Sequence, residues 1–261
     1  MTAPSATNQR KAAESVPLRQ HQTEILRNQK AWDSKPLLRE IYAEFYKSIA
    51  KWIDPTIPGR VVELGSGIGN LRQQFPRALA TDLFPNPWLD LACDGYELPF
   101  RDHSVSHLIL FDVFHHLEAP NAFLKEARRA LAPSGRVILF EPYASWVGRL
   151  AYGLFHHEPL GLGQSILQAD SLPRPRRYYA AQGNATRLFF WRTIPGFPVR
   201  WALLHQEAIV CFRYLLSGGF SKPSMYPAAW MPTVRTIDRI LSRWPGIFAG
   251  RCLVVLQRPQ P

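Results

Sequence analysis

The apolar positions of the chain follow two rhythms. Between residues 21 and 53 they recur at three- and four-residue spacing: Ile25 and Leu26, then Leu37, Leu38, Ile41, Tyr42, Phe45, Ile49 and Trp52. That is the period of amphipathic helices. It predicts two of them, with Pro36 in the first turn of the second, Ser34 as its cap, and Asp54-Pro55 as its stop. From residue 59 short β-branched runs alternate with helical stretches. Strands are expected over 61–64, 78–82, 89–93, 105–111 and 136–140. A short helix is expected over 70–75 and an amphipathic one over 119–131, closed by Pro133-Ser134-Gly135. Alternating strands and helices imply a parallel sheet with right-handed crossovers.

The rhythm breaks after residue 142. Residues 143–205 are rich in aromatics, Pro, Gly and Arg, and read as a lid or substrate insertion. A strand over 206–215, a helix over 233–243 and a last strand over 252–256 then complete the sheet. The polar stretch 1–20 reads as a disordered tail, 21–58 as cap helices, 59–142 as a ligand-binding core and 206–261 as the closing strands and helix.

Composition narrows the picture. A chain of 261 residues holds one large domain or a core with a modest lid. No run of eighteen apolar residues is present, and the N-terminus lacks the apolar centre of a secretory signal, so the expected location is cytoplasmic. Cys93, Cys211 and Cys252 are far apart with no C-x-x-C pair, which argues for buried thiols and against a zinc or disulfide framework. The net charge is +11, with much of the excess as Arg beyond residue 145. This balance favours an anionic partner, whether nucleic acid, an anionic membrane surface or an acidic substrate, or it marks no more than a basic protein.

The chemistry concentrates after the first strand. Glu63-Leu64-Gly65-Ser66-Gly67-Ile68-Gly69 joins a strand to a helix, where glycines permit tight backbone angles and close approach of a ligand. A dinucleotide fingerprint needs glycine at position 70, which is Asn70, and Glu63 would repel a pyrophosphate. A ribose-bearing ligand with a cationic head suits the turn better; a bare strand–helix turn is the other reading. Asp82, at the tip of the second strand, can accept both hydroxyls of a ribose or serve as a turn aspartate. Asp94, followed by Gly95, can accept from an adenine amino group or form an ordinary turn.

The ordered runs VVELGSGIGN, ATDL, CDGYELPF, LILFDVFHHL and LAPSGRVILFEP, over roughly residues 59–142, resemble the class I S-adenosylmethionine-dependent methyltransferases. The likeness is to the small-molecule branch that includes the ubiquinone and menaquinone biosynthesis enzymes. It implies a Rossmann-like α/β fold, doubly wound, with a mostly parallel seven-stranded sheet in the order 3-2-1-4-5-7-6, strand 7 antiparallel. It implies that Glu63, Gly65, Ser66, Gly67 and Gly69 line the methionine and ribose of S-adenosylmethionine. Asp82 would hold the ribose hydroxyls, Leu83 would pack beside the adenine, Asp94 and Gly95 would lie at its edge, and Phe111 and Asp112 would end strand 4 beneath the cofactor. One departure is the link 83–90, too rich in Pro for the helix expected after strand 2. Residues 155–159 and 213–219 resemble FHHEP and RYLLSGG segments of a less characterised bacterial subgroup, which brings no substrate with it.

A sulfonium methyl is already activated, so such an enzyme chiefly aligns its acceptor, and needs a base only where the nucleophile must lose a proton. His115 and His116, after strand 4, and Tyr143, after strand 5, are the candidates for catalysis; each is also a residue of the kind that packs. His156 and His157, together with Tyr42, are candidates for binding the acceptor. The H-H-E run 156–158 lacks helical zinc spacing, so no metal is expected. The favoured reading is methyl transfer to a small hydrophobic or aromatic acceptor. A nucleic-acid methyltransferase is the rival that charge supports, although no N-P-P-Y-type run follows strand 4. A cofactor-binding scaffold without catalysis is the other.

Overall fold

A computed structural model of the chain describes residues 22–155, 159–167, 179–198 and 200–260. Its centre is a seven-stranded sheet in the order β3-β2-β1-β4-β5-β7-β6. The strands are β1 (Arg60–Leu64), β2 (Leu79–Asp82), β3 (Leu91–Ala92), β4 (Val105–Phe111), β5 (Leu131–Pro142), β6 (Ala202–Val210) and β7 (Ala249–Gln257). β1 to β5 pair in parallel, while β7 runs antiparallel between β5 and β6. This is the expected Rossmann-like sheet. All seven residues of β4 are buried, as a central strand covered on both faces requires.

The helices are α1 (22–34), α2 (Pro36–Ala50), α3 (Pro120–Ala130), α4 (Trp146–Phe155), α5 (Phe212–Leu216), α6 (Met231–Leu241) and α7 (Pro245–Phe248). They split the core into two clusters, one on each face. α3 packs Phe123, Leu124 and Ala127 against Leu108, Leu110 and Leu139. α2 packs Leu38, Ile41 and Phe45 on the opposite face against Ile109, Phe111 and Phe140. The alternation of β4 residues between the two clusters follows from the two-residue period of a strand.

Several expected boundaries move. Pro36 does open α2, but Ser34 does not cap it; its hydroxyl donates back to the Ala31 carbonyl, and Lys35 holds the cap position without a side-chain bond. The 70–75 helix is a 3-10 turn over Asn70–Gln73, and the third strand shrinks to two residues. The strand expected over 206–215 starts earlier and stops at Val210. The Asp238 carboxylate then accepts the Phe212 and Arg213 amides and starts α5, a local effect of a residue 26 positions away in sequence. The lid expected over 143–205 therefore gives its last four residues to the sheet. No described helix is long and apolar enough to cross a membrane.

One buried group gives the fold a pH dependence. His107 is fully buried within β4, and its Nε2 accepts the Asp54 amide. Burial, reinforced by the nearby Arg136 guanidinium, lowers its pKa to about 4. Between that value and its ordinary one near 6.5, the unfolded chain binds more protons than the folded one, so His107 stabilises the fold above pH 6.5 and this contribution is lost as pH falls toward 4. Urea titrations across that window should show stability falling with acid, and His107→Leu should flatten that slope even though it lowers stability at neutral pH.

Candidate functional site

The carboxyl ends of β1, β4 and β5 open into a cavity of about 780 Å³. Its floor is the glycine turn. Gly65, Gly67 and Gly69 all take left-handed φ angles, +68°, +53° and +69°. At Gly65 an added Cβ would lie 2.3 Å from Val113 Cγ2, so the turn is pressed against the chain leaving β4. At Gly67 an added Cβ would meet only Ile25 Cδ1, at 3.7 Å, among the described residues.

Glu63 closes the floor. It is buried, it lines the cavity, and its Oε2 has no hydrogen-bond partner among the described residues. Burial, with a smaller push from Asp82, raises its pKa to about 8. A buried carboxyl in the lining of a cavity, with hydrogen-bonding capacity to spare, is the chemical complement of a cationic ligand group. Asp82 lies behind the turn. Its Oδ2 accepts the Gly67 amide at 3.1 Å and its Oδ1 the Leu83 amide at 2.7 Å, which fixes the carboxylate and leaves each oxygen further acceptor capacity. Asn86 reaches back from the proline-rich link to donate to the Gly67 carbonyl at 3.0 Å.

The wall beside β4 is set by Glu141. This buried residue follows Phe140, which pairs with Phe111. Its Oε1 accepts the Val113 and Phe114 amides at 2.8 and 2.7 Å, and its Oε2 contacts His115 Nδ1 at 2.7 Å. His115 Nε2 lies 3.5 Å from the Gln182 side-chain nitrogen, and both residues line the cavity. His116 also lines it, with Nδ1 3.1 Å from the Tyr179 carbonyl. Asp112, at φ +57°, bonds to the buried Arg251 guanidinium, which comes from β7 and stacks 4.6 Å over Tyr214. Asp112, His115 and Glu141 bring ligand-type atoms within 4.8 Å of one another. The charge of Asp112 is already met by Arg251 and that of Glu141 by backbone N–H groups, so this cluster balances itself without a cation.

The remaining wall is aromatic. Tyr42 stacks on Phe111 at 5.2 Å and meets Phe220 and Tyr214 edge-on at 5.4 and 6.1 Å. Burial raises the pKa of the Tyr42 hydroxyl well above its ordinary value. Leu150, Phe212 and Met225 extend this surface toward the mouth.

The structure thus gathers Glu63, Gly65, Ser66, Gly67, Phe111, Asp112, His115, His116 and Tyr42 around one cavity. It does not bring all the predicted residues there. Tyr143 turns into the core and packs edge-on against Phe190 at 4.8 Å. Leu83 is exposed and off the cavity lining. Asp94 is off the cavity lining and accepts the Tyr96 amide at 2.9 Å, and Gly95 lies beside Phe123. His156 and His157 lie outside the described residues. Glu141, Gln182, Arg251, Phe212, Tyr214, Phe220 and Met225 were not assigned to the site from the sequence. A carboxylate one residue beyond a central apolar strand was a usable signal for Glu141; the others come together only through the fold.

Residues 62–139 match the family model described as a methyltransferase domain. No curated protein matches the chain by sequence. Among solved structures, a chain of the complex between the Haloferax volcanii Trm112 methyltransferase activator and its methyltransferase is 20% identical, with 94% of this chain and 98% of that one covered at a TM-score of 0.52. A SAM-dependent methyltransferase from Thermotoga maritima is 15% identical, covering 85% and 92% at 0.49. One from Archaeoglobus fulgidus is 12% identical, covering 84% and 94% at 0.49. The first of these shares the fold. The matched segment is a methyltransferase domain, and S-adenosylmethionine is the cofactor such a domain takes.

The two glycines should respond differently to alanine. Gly65→Ala meets both a positive φ and Val113, and should cost roughly 2–4 kcal/mol in urea unfolding. Gly67→Ala meets only the positive φ, and should cost about 1–2 kcal/mol. Equal losses would show that the contact with Val113 is not what closes the turn.

Proposed function

We propose that the chain transfers the methyl group of S-adenosylmethionine to a small hydrophobic or aromatic acceptor. One observation carries this reading. A buried carboxyl with an unused oxygen, on a left-handed glycine turn, shares its cavity with a wall of aromatic rings. The carboxyl and turn complement a cationic, ribose-bearing molecule. The rings complement a flat or apolar one, and cavities of this size commonly bind small molecules.

In this reading Glu63, Gly65, Ser66 and Gly67 hold the amino-acid end of the cofactor, and Asp82 accepts from its ribose. Gly69, Leu83, Asp94 and Gly95 remain proposals for the far side of that pocket. When bound, the cofactor supplies a methyl group on a sulfonium. The chain's work is to align the acceptor and keep water out. Phe111, Tyr42 and Tyr214 line the cavity with aromatic carbon, which sheds water. Glu141 fixes the ring orientation of His115 through Nδ1, so the opposite edge of the imidazole addresses Gln182 and the cavity. His115 and His116 are the residues placed to orient an acceptor, and to take its proton where it carries one. His156 and His157 keep their proposed part in acceptor binding.

Two binding measurements with S-adenosylhomocysteine test the cofactor half of this reading. Asp82→Ala should weaken calorimetric affinity about ten- to a hundredfold through lost charged hydrogen bonds; unchanged affinity would remove Asp82 from the site. Glu63 is protonated in the empty site at neutral pH, because its pKa is about 8. A cation seated against it lowers that pKa, so binding near pH 7 should release a proton and affinity should rise with pH until pH exceeds 8. Calorimetry in buffers of different ionisation enthalpy reads the proton, and Glu63→Gln should abolish its release. A proton count of zero in the parent protein would separate Glu63 from the ligand.

A further inference from the structure

We infer that the end of the molecule bearing the cavity mouth docks on an anionic lipid surface through α4, α6 and α7. The topology puts all three helices at that end. α4 follows the carboxyl end of β5, and α7 leads directly into β7, which runs antiparallel and so begins there. α6 is held beside the exit of β6, where its Asp238 accepts the first amide of α5. α4 and α7 are in contact with each other.

The outward faces of these helices are apolar in a way the fold does not use. α6 buries Met231 and Val234. Ile237 and Ile240 on α6, Trp244 at the link and Ile247 on α7 all stay exposed, Ile240 by 50% and Trp244 by 51%. On α4, Trp146 is 71% and Leu150 61% exposed. Leu150 also lines the cavity, so the apolar surface continues into its mouth. Scattered surface apolar residues need no explanation, but this many large ones on helices gathered at one end of the sheet mark an interaction face.

The charges choose the partner. Within 231–248 the only acid is Asp238, which is buried and paired with Arg213, while Arg239 and Arg243 are exposed. α4 carries no acid, and its Arg149 guanidinium lies 5.4 Å from the Trp146 ring and 4.8 Å from that of Trp191. Exposed Trp and Ile interleaved with Arg, on helices that carry no exposed carboxylate of their own, match a bilayer interface: rings and branched chains enter the headgroup boundary while guanidinium groups stay at phosphate level. Anionic headgroups would also draw in a chain of net charge +11. A cavity opening on that face would receive acceptors from the lipid phase. That last clause rests on the methyl-transfer reading; the docking itself does not.

Sedimentation with vesicles tests the docking on the full chain. Vesicles of equal parts phosphatidylcholine and phosphatidylglycerol should bind at least about tenfold more tightly than phosphatidylcholine alone, and less tightly as salt rises. Tryptophan emission should shift to the blue on binding. Ile240→Asp/Trp244→Asp should abolish both signals, and Arg239→Glu/Arg243→Glu should remove the preference for the anionic vesicles. Neither pair lines the cavity, so affinity for S-adenosylhomocysteine should hold in both and shows that each variant is folded. Absence of vesicle binding by the parent chain, or binding that survives both pairs, overturns the inference. So does concentration-dependent self-association without vesicle binding, removed by the apolar pair, which would assign the face to a second copy of the chain. Failure of S-adenosylhomocysteine to bind the parent chain would instead strike the methyl-transfer reading and leave the docking standing.

Discussion

The Glu141 carboxylate holds the active end of the sheet together. β4 and β5 are paired up to Phe111 and Phe140, and there the ladder ends inside the protein. The amides of Val113, Phe114 and His115 would be buried without partners if nothing replaced it. Glu141 accepts all three with one side chain, and adds His115 Nδ1. The carboxylate is stable there only because these donors surround it, and the donors are satisfied only because it is there. Asp112 can then take a left-handed angle, and the chain swings clear of the sheet and leaves room for the cavity.

That exit fixes its neighbours. Val113 presses on Gly65, so the path after β4 sets how closely the glycine turn approaches it. Asp112 is answered by Arg251 from β7, whose guanidinium in turn stacks on Tyr214. Three regions far apart in sequence thus meet through one short segment. The buried Glu141 and Arg251 and the half-buried Asp112 are each met by a donor or an opposite charge. Glu63 lines the cavity and keeps a buried oxygen with no hydrogen-bond partner among the described residues.

Much of this was legible in the sequence, for a physical reason. Strands 1, 2, 4 and 5 are buried on both faces, so their residues read as continuous apolar runs, and the glycine turn needs φ angles few other residues adopt. Those features are local. α5 was misread as strand because QEAIVCFRYL carries the composition of one; the decision is made by Asp238, which no local pattern reveals. Ser34 was misread as a cap because its hydroxyl had a nearer carbonyl to bond. Tyr143 follows β5 as an acceptor-facing residue should, but the alternation of side chains turns its ring to the core face with Phe190. Gln182 and Arg251 were invisible because their neighbours in space are not their neighbours in sequence.

The wall opposite the glycine turn is built from segments outside the matched domain, and they are tied to one another as well as to the sheet. Lys35, between α1 and α2, donates to the carbonyls of Gly219 and Lys222. Trp32 of α1 stacks on Phe220 at 6.3 Å, and Phe220 meets Tyr42. Partial burial lowers the Lys35 pKa, a cost offset by these carbonyls, which fix the 218–222 turn above the cavity. The roof is therefore a unit of α1, α2 and that turn, with the rings that face an acceptor built into its joints. A change at Phe220 or Tyr42 would reshape the acceptor wall and loosen the roof together, whereas Glu63 and Asp82 belong to the floor. In the proposed reading, cofactor recognition and acceptor recognition fall to separate covalent segments that face each other across the cavity, so that one sheet could keep its cofactor while the roof varied with the acceptor.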